Sequence, residues 1–382
     1  MSRWKVLDLF AGAGGVDEGC RMLGLTSNEV LGVETDKWCN ATAVQAGHST
    51  RLQANVLDLP ADDGRLSCEG LWLSPPCQAW SMAGRRTAEV DRGVIYEHVE
   101  RVKQDGWVAY DRSDYHDERT PPVLEVLRWA FHQRPKWVIA EQVRPVLALW
   151  ERYREVLEQW GYRADADVLN AADYGVPQTR KRAILVARRD DGPLWPEPTH
   201  SKDGGDGLKS WVTMAEALGW DEETHIEWVS NHRPNAARRS LDQPAGTIFF
   251  GNDAASMKWR MMSAGRTGEG RPRDPETQPA ATITGKGTAA WVHDRPSTTI
   301  VGSFRPDVVA APGWRKPGDG PRQNAEGSVR VTPEQAAVLQ SFPADYPWQG
   351  AKTRKFKQIG DAVPPLLAAR LIGTRIDEEA VA

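Results

Sequence analysis

Short apolar runs, each stopped by turn residues, recur through the first half of the chain. Val6-Leu7-Asp8-Leu9-Phe10 runs into Ala11-Gly12-Ala13-Gly14-Gly15, and a helical pattern follows through Met22 and Leu23. Val30-Leu31-Gly32-Val33 is a second strand, ending on Glu34-Thr35-Asp36. Ala54-Asn55-Val56-Leu57-Asp58-Leu59 closes a third β unit before Pro60, and Leu71-Trp72-Leu73 is a fourth strand. Runs this short, bounded by Gly, Pro and Asp, read as buried strands. Val123 to His132 carries a helical pattern, Trp137-Val138-Ile139-Ala140 is another strand, and a helix holds Leu149, Trp150 and Tyr153. Tyr162 to Leu169 and Ala183 to Ala187 read as further strands. Strands alternating with helices predict an α/β fold.

Two stretches break this rhythm. From Arg85 to Pro122 charges are many and periodicity is slight, which predicts a long loop carrying a helix; loops of that length inside a domain are often lids. From Asp191 to about Gly327 glycine, proline, serine, threonine and charge dominate. That region holds a threefold repeat: Asp242-Gln243-Pro244-Ala245-Gly246-Thr247-Ile248, then Thr277-Gln278-Pro279-Ala280-Ala281-Thr282-Ile283, then Asp294-Arg295-Pro296-Ser297-Thr298-Thr299-Ile300. The unequal spacing excludes a solenoid and fits a small, irregular, β-rich second domain. Regular structure returns at Thr332-Pro333-Glu334-Gln335, a capping-box helix start, and a final helix spans Leu366 to Ile372. The predicted domains are therefore 1–190, 191–328 and a C-terminal segment, 329–382, that rejoins the first.

Composition narrows the class. No apolar run approaches a membrane span, and no signal-peptide progression opens the chain, so a cytoplasmic protein is expected. The four cysteines form no CxxC pair, which speaks against structural zinc. The net charge of −4 hides an asymmetry: from Asp191 to His232 two Lys/Arg face nine Asp/Glu, and from Arg233 to Arg330 fifteen face nine. A tight basic cluster follows at Lys352, Arg354, Lys355 and Lys357. Such clusters are most often solvated faces, but phosphate backbones also require them.

Candidate chemistry sits where the predicted strands end. The glycine turn Gly12-x-Gly14-Gly15 opens a nucleotide-binding unit but lacks the third glycine of the dinucleotide fingerprint. Glu34 stands about 20 residues on, where α/β domains hold a ribose diol, although Thr35 or Asp36 there also suits a helix N-cap. Pro75 and Pro76 end the fourth strand rigidly and present Cys77 beyond it. Free cysteine is most often a small buried hydrophobe; at a strand end it is also a candidate nucleophile. Glu141 ends the strand from Trp137 and is a candidate acid, or an N-cap for the next helix. Arg180 and Arg182 alternate, which places both on one face of an extended segment, as they would be on a solvated edge strand.

Taken in order, these stretches resemble the DNA cytosine-5 methyltransferase family. Asp8-Leu9-Phe10-Ala11-Gly12-x-Gly14-Gly15 is similar to its cofactor loop, Pro75-Pro76-Cys77-Gln78-x-Trp80-Ser81 to its nucleophile motif, and Glu141-Gln142-Val143 to its Glu-Asn-Val. Gln178-x-Arg180-x-Arg182 matches its base-contacting arginines, and Gly360-Asp361-Ala362-Val363-Pro364-Pro365 is similar to its Gly-Asn-x-Val-Pro-Pro.

The resemblance implies a Rossmann-like, S-adenosylmethionine-dependent methyltransferase sheet with a smaller target recognition domain. It implies catalytic roles for Cys77, Glu141, Arg180 and Arg182, and a cofactor site at Phe10, Ala11, Gly12, Gly14, Glu34, Thr35, Asn55, Val56, Pro76, Asp361 and Val363. It also implies double-stranded DNA as substrate, base flipping, a monomer, and a cognate restriction endonuclease as possible partner. Gln142, Asn55 and Asp361 depart from the family's residues. The competing readings are an RNA cytosine methyltransferase, a variant using a modified S-adenosylmethionine, a nucleotide-dependent oxidoreductase and a catalytically silent DNA-binding protein.

Overall fold

A computed structural model describes residues 4–48, 50–76, 80, 88–219, 226–229, 238–240, 242–246, 258–261, 328–330 and 332–376. The chain begins with β1 (Trp4–Leu9), α1 (Gly15–Met22), β2 (Val30–Glu34), α2 (Lys37–Gln45), β3 (Arg51–Gln53) and β4 (Cys68–Leu73). It continues through α3 (Ala88–Asp105), α4 (Glu125–Gln133), β5 (Trp137–Val143), α5 (Leu147–Gln159), β6 (Arg163–Asn170), β7 (Gln178–Thr179) and β8 (Lys181–Arg188). Short strands follow: β9 (His200–Ser201), β10 (Lys209–Ser210), β11 (Ile226–Val229), β12 (Arg238–Ser240), β13 (Ala245–Gly246), β14 (Lys258–Met261) and β15 (Ser328–Arg330), with α6 (Met214–Leu218) before β11. Helices α7 (Pro333–Leu339), α8 (Lys352–Asp361) and α9 (Pro365–Gly373) complete it.

Seven strands form the main sheet in the order β3-β2-β1-β4-β5-β8-β6. All neighbours run parallel except β8, which enters antiparallel between β5 and β6. Alternation along each strand assigns the two faces. Leu7, Leu9, Leu71, Leu73, Val138 and Ala140 pack beneath α3, α4 and α5. Val6, Trp72, Ile139 and Val186 pack against α1 and α9. This is the expected doubly wound α/β architecture. Chain order reverses between β1 and β4, so the crevice above their carboxyl ends is where a ligand is expected.

The C-terminal helices belong to this sheet because of close backbone approach. A Cβ added at Gly15 would lie 2.1 Å from the Val363 carbonyl oxygen, and one at Gly19 would lie 2.8 Å from Ala368 Cβ. Only glycine at these two positions lets α1 and α9 pack that tightly. A satellite core of Ala13, Met214, Ala245, Leu339, Phe342, Tyr346 and Trp348 joins α6, α7 and α8 to the edge of the crevice.

Several local expectations change. The polar stretch after Arg85 contains an 18-residue helix, α3. Its inner face carries Ile95, Val99 and Val102 but also buried Asp91 and His98, so apolar periodicity under-reads it. Asp91 accepts from the backbone amides of His116 and Asp117, at 2.7 and 3.2 Å, which turns a buried charge into a tether for the segment after α3. The third β unit is the strand Arg51–Gln53, while Val56–Asp58 forms a 3₁₀ turn capped by Asn55. The segment before the last helix is itself helical (α8), and Ala362, Val363 and Pro364 separate it from α9, which opens on Pro365. In the Gly/Pro-rich region, β12-β11-β14-β15 form an antiparallel sheet. The first repeat contributes β13, which pairs parallel with β7; the second and third repeats lie outside the described residues.

Candidate active site

The site is built from the carboxyl ends of adjacent strands. Beyond β1 the chain turns through Phe10 and Gly12, at φ 64° and 55°, and Gly14 at 100°. These left-handed conformations suit glycine; Phe10 adopts one at a cost its surroundings must offset. The Ala11 amide donates to the Val33 carbonyl at 3.0 Å, which anchors the turn to β2. Glu34, at the end of β2, reaches across: its Oε2 accepts from Gly12 N at 2.9 Å, and its Oε1 from Thr35 N and Asp36 N, both at 2.8 Å. Asp36 then caps α2 through Trp38 N at 2.7 Å, so Asp36 is the N-cap and Glu34 is bound to the turn instead. Beyond β3, Asn55 Oδ1 accepts from Leu57 N at 3.2 Å, leaving Val56 buried beside it.

The loop has an open side and a tight side. A Cβ at Gly12 would meet nothing within 4 Å, whereas one at Gly14 would lie 2.7 Å from Tyr346 Oη. The open side therefore leaves the Gly12 backbone accessible beside the Glu34 carboxylate, the placement of an acid at the second strand end that α/β domains use for a ribose diol. Val363 closes the lower wall through its carbonyl against Gly15. Asp361, in contrast, is exposed, and its Oδ2 accepts from Lys357 Nζ at 2.5 Å. Arg354 of the same basic cluster pairs with Asp36 at 3.5 Å.

Beyond β4, Ser74 N donates to Leu9 O at 3.2 Å, which keeps the segment beside β1 as the strands part. Pro75 is buried, Pro76 half-buried, and Trp80 is again in the core. Cys77 lies outside the described residues, on the span that joins these two fixed points. Next door, at the end of β5, Gln142 is buried, and its Nε2 donates to the Pro75 carbonyl at 2.9 Å. Gln142 therefore grips the chain two residues before Cys77.

Glu141 lies on the opposite side of β5, where Arg182 Nε approaches its Oε1 at 2.9 Å, both side chains largely buried. The antiparallel register explains the meeting: Arg182 lies opposite Val143, on the face that Glu141 shares. Arg180 goes elsewhere. It sits in the break between β7 and β8, almost fully buried, and donates through Nη1 to the Gly360 carbonyl at 2.9 Å. The two arginines are thus separated, one at Glu141 and one under α8. Gln178 is buried at Gln340, and Ala245 N donates to Pro177 O at 3.0 Å, so the first Pro-Ala repeat holds the segment that leads into the arginines.

Sequence reasoning missed the layer beneath the loop. Arg51 lies over Gly32, where a Cβ would come within 2.7 Å of the guanidinium. Asp8 is fully buried with no hydrogen-bond partner for either oxygen among the described residues. Burial and then the neighbouring Asp17 raise its carboxyl well above the ordinary range. An acid inside an apolar strand was the available signal for Asp8; the partners of Arg51 were legible only in three dimensions.

Comparison with known proteins gives the family and the fold. The family described as C-5 cytosine-specific DNA methylase matches residues 4–105 and 108–377. The type II methyltransferase M1.HphI of Haemophilus parahaemolyticus is 26% identical, over 95% of this chain and 84% of that protein. M.NgoFVII of Neisseria gonorrhoeae is 27% identical, over 94% and 83%. Among solved structures, the Dnmt2 methyltransferase of S. pombe superposes with a TM-score of 0.54 over 97% of both chains at 14% identity. A putative DNA modification methyltransferase encoded within an E. coli prophage gives 0.52 at 18% identity, over 97% and 98%. The fold is shared with both. With its family matched across nearly the whole length, on a sheet whose strand ends gather the glycine turn, the Pro-Pro segment and the Glu–Arg pair, the chain belongs to the C-5 cytosine-specific DNA methylases.

Proposed function

We propose that this DNA cytosine-5 methyltransferase acts by covalent catalysis from Cys77. The observation that carries the reading is the convergence at adjacent strand ends: Gln142 holds Pro75, and Glu141 beside it pairs with Arg182. The Cys77 thiolate adds to C6 of the target cytosine, forming the S–C6 bond. The C5=C6 π electrons move into the ring as N3 takes a proton from Glu141, and Arg182 meets charge developing at O2. That step gives C5 the nucleophilic character it lacks in cytosine. Once C5 carries the methyl group, loss of the C5 proton to a base expels Cys77 as thiolate, and N3 returns its proton to Glu141, which restores the neutral aromatic ring.

The residues around the β1 loop fit S-adenosylmethionine, because an open backbone at Gly12 lies beside the Glu34 carboxylate. Phe10, Ala11, Gly12, Gly14, Glu34, Thr35, Asn55, Val56, Pro76 and Val363 would hold it. When bound, it supplies the methyl group that C5 acquires. Asp361 would stand at the rim of this site, its charge balanced by Lys357. Arg180 serves the site by fixing the β7–β8 break.

Cytosine C6 is covered on both faces inside a duplex, so the target base must leave the stack. Segment 191–328 would read the sequence, and Lys352 and Lys355 would meet phosphate. The reading carries with it a cytoplasmic monomer with a cognate restriction endonuclease. No helix among the described residues is long and apolar enough to cross a membrane.

The test is a duplex in which the target cytosine is 5-fluorocytosine, incubated with S-adenosylmethionine and resolved on a denaturing gel. A covalent protein–DNA band that disappears with Cys77→Ala is expected. A Cys77→Ala protein that methylates at the wild-type rate, or methyl incorporation into RNA in place of duplex DNA, overturns the proposal.

A further inference from the structure

The glycine turn rests on a buried polar plate assembled from three distant parts of the chain. Arg51, from β3, donates through Nη1 to the Gly12 carbonyl at 3.2 Å and through Nη2 to Asp17 Oδ2 at 2.6 Å. Tyr346, from the segment after α7, donates through Oη to the Ala13 carbonyl at 2.7 Å. His48, which follows α2, pairs with Glu18 at 3.2 Å, and its ring lies 3.1 Å from where a Gly14 Cβ would stand. Arg51, Asp17, Glu18, His48 and Tyr346 are all buried or nearly so. None of them has a part in the covalent chemistry.

The geometry has a directional consequence. Consecutive carbonyls, Gly12 and Ala13, are held by Arg51 and Tyr346, while the Gly12 amide is held separately by Glu34. A peptide loop with positive φ at Phe10, Gly12 and Gly14 has other conformations available. The two donors beneath select one of them before any ligand arrives, and preorganisation of this kind lowers the ordering cost of binding.

We infer that Tyr346 and Arg51 are positioning residues for the cofactor: they preset the β1 loop so that its open face receives S-adenosylmethionine, and they set cofactor affinity without entering methyl transfer. The inference rests on the assignment of that loop to the cofactor. It also gives the C-terminal segment a task, since Tyr346 reaches the loop from a position more than 330 residues later.

The experiment compares Tyr346→Phe and Arg51→Lys with wild type by titration calorimetry with S-adenosylmethionine, by DNA affinity, and by steady-state kinetics. Phenylalanine keeps the ring in its core and removes only the hydroxyl. Lysine keeps a cation beside Asp17 and gives up the bond to Gly12. Each is expected to weaken cofactor binding by about five-fold, within the worth of one hydrogen bond. KM for the cofactor should rise by the same factor, with kcat at saturation and DNA affinity unchanged. Glu34→Ala is the control for the site itself. If wild type and Glu34→Ala bind S-adenosylmethionine equally, the cofactor assignment falls. If Glu34→Ala abolishes binding while both test variants bind as wild type, the assignment stands and the positioning role is wrong. Equal losses in DNA affinity and kcat reduce the plate to general structural support and likewise overturn the inference.

Discussion

Gln142→Asn is the most informative single change at the Cys77 segment. It installs the amide that the family usually carries, so chemical type is preserved and only reach is altered. In this protein Nε2 of Gln142 donates to the Pro75 carbonyl at 2.9 Å from a buried position. Removing one methylene withdraws the amide by about 1.5 Å, which takes the contact past hydrogen-bonding range. The lost bond is worth about 0.5–1.5 kcal/mol, and stranding a buried carbonyl adds about 1–3 kcal/mol. Partial relaxation of β5 recovers some of this, so we predict a net loss of about 1–2 kcal/mol in holding the Pro75–Cys77 turn. If that loss is felt in the transition state for sulfur addition, adduct formation slows about 5- to 30-fold. The assay is single-turnover formation of the covalent adduct with 5-fluorocytosine duplex at saturating S-adenosylmethionine. Gln142→Leu serves as a partner of similar size that cannot donate, and calorimetry monitors cofactor affinity. Both variants should form adduct slowly and bind cofactor normally. Wild-type adduct rates in both would refute the reasoning, because the Pro75 carbonyl would then have no part in presenting Cys77.

The other predictions address the remaining groups. Glu141→Gln keeps the shape and loses the proton, so we predict a fall in methylation rate of about 100-fold or more with DNA affinity little changed; a rate within three-fold of wild type excludes Glu141 as the acid. Arg180→Met removes a buried cation from the Gly360 carbonyl and should cost about 2–3 kcal/mol in urea unfolding, whereas Arg182→Lys should leave stability near wild type and lower the rate; reversal of this pattern would mean the two arginines had been assigned the wrong way round. Burial, then Asp17, raise the Asp8 carboxyl well above the ordinary carboxylate range, so between the unfolded and folded pKa the fold favours its protonated form. The native state therefore binds the extra proton, and stability falls as pH rises above the unfolded value near 4. Asp8→Asn removes that dependence, so its advantage over wild type should grow by up to about 1.4 kcal/mol per pH unit between about pH 4 and the folded pKa. A constant difference across a pH series of unfolding curves would show that Asp8 titrates normally.

How much of this protein was legible in one dimension follows from the physics of each feature. Strands such as Val6–Leu9 and Leu71–Leu73 are apolar because both faces of the central sheet are covered, and such runs announce themselves. The turn at Gly12 and Gly14, the stop at Pro75-Pro76 and the capping box at Thr332 are local chemistry, written in adjacent residues. The motifs resembling the methyltransferase family sit on these same local features, so the reaction was readable before the fold was built. Helix α3 was harder, because its buried face is partly polar and Asp91 and His98 find their partners elsewhere in the chain.

Only the tertiary structure decided who meets whom. Alternation placed Arg180 and Arg182 together; the break after β7 sends one to Gly360 and the other to Glu141. Gln142 stood out in the sequence only as a departure from the family's residue, and its reach to Pro75 appears only when β4 and β5 lie side by side. Arg51 and Tyr346 carry no local signal, because the carbonyls they hold belong to residues that are neighbours in space alone. Local backbone preference acts over a few residues and is therefore spelled out in sequence. A hydrogen bond between distant residues depends on the packing of the whole chain, and in this protein that packing sets both the floor of the glycine turn and the hold on Pro75.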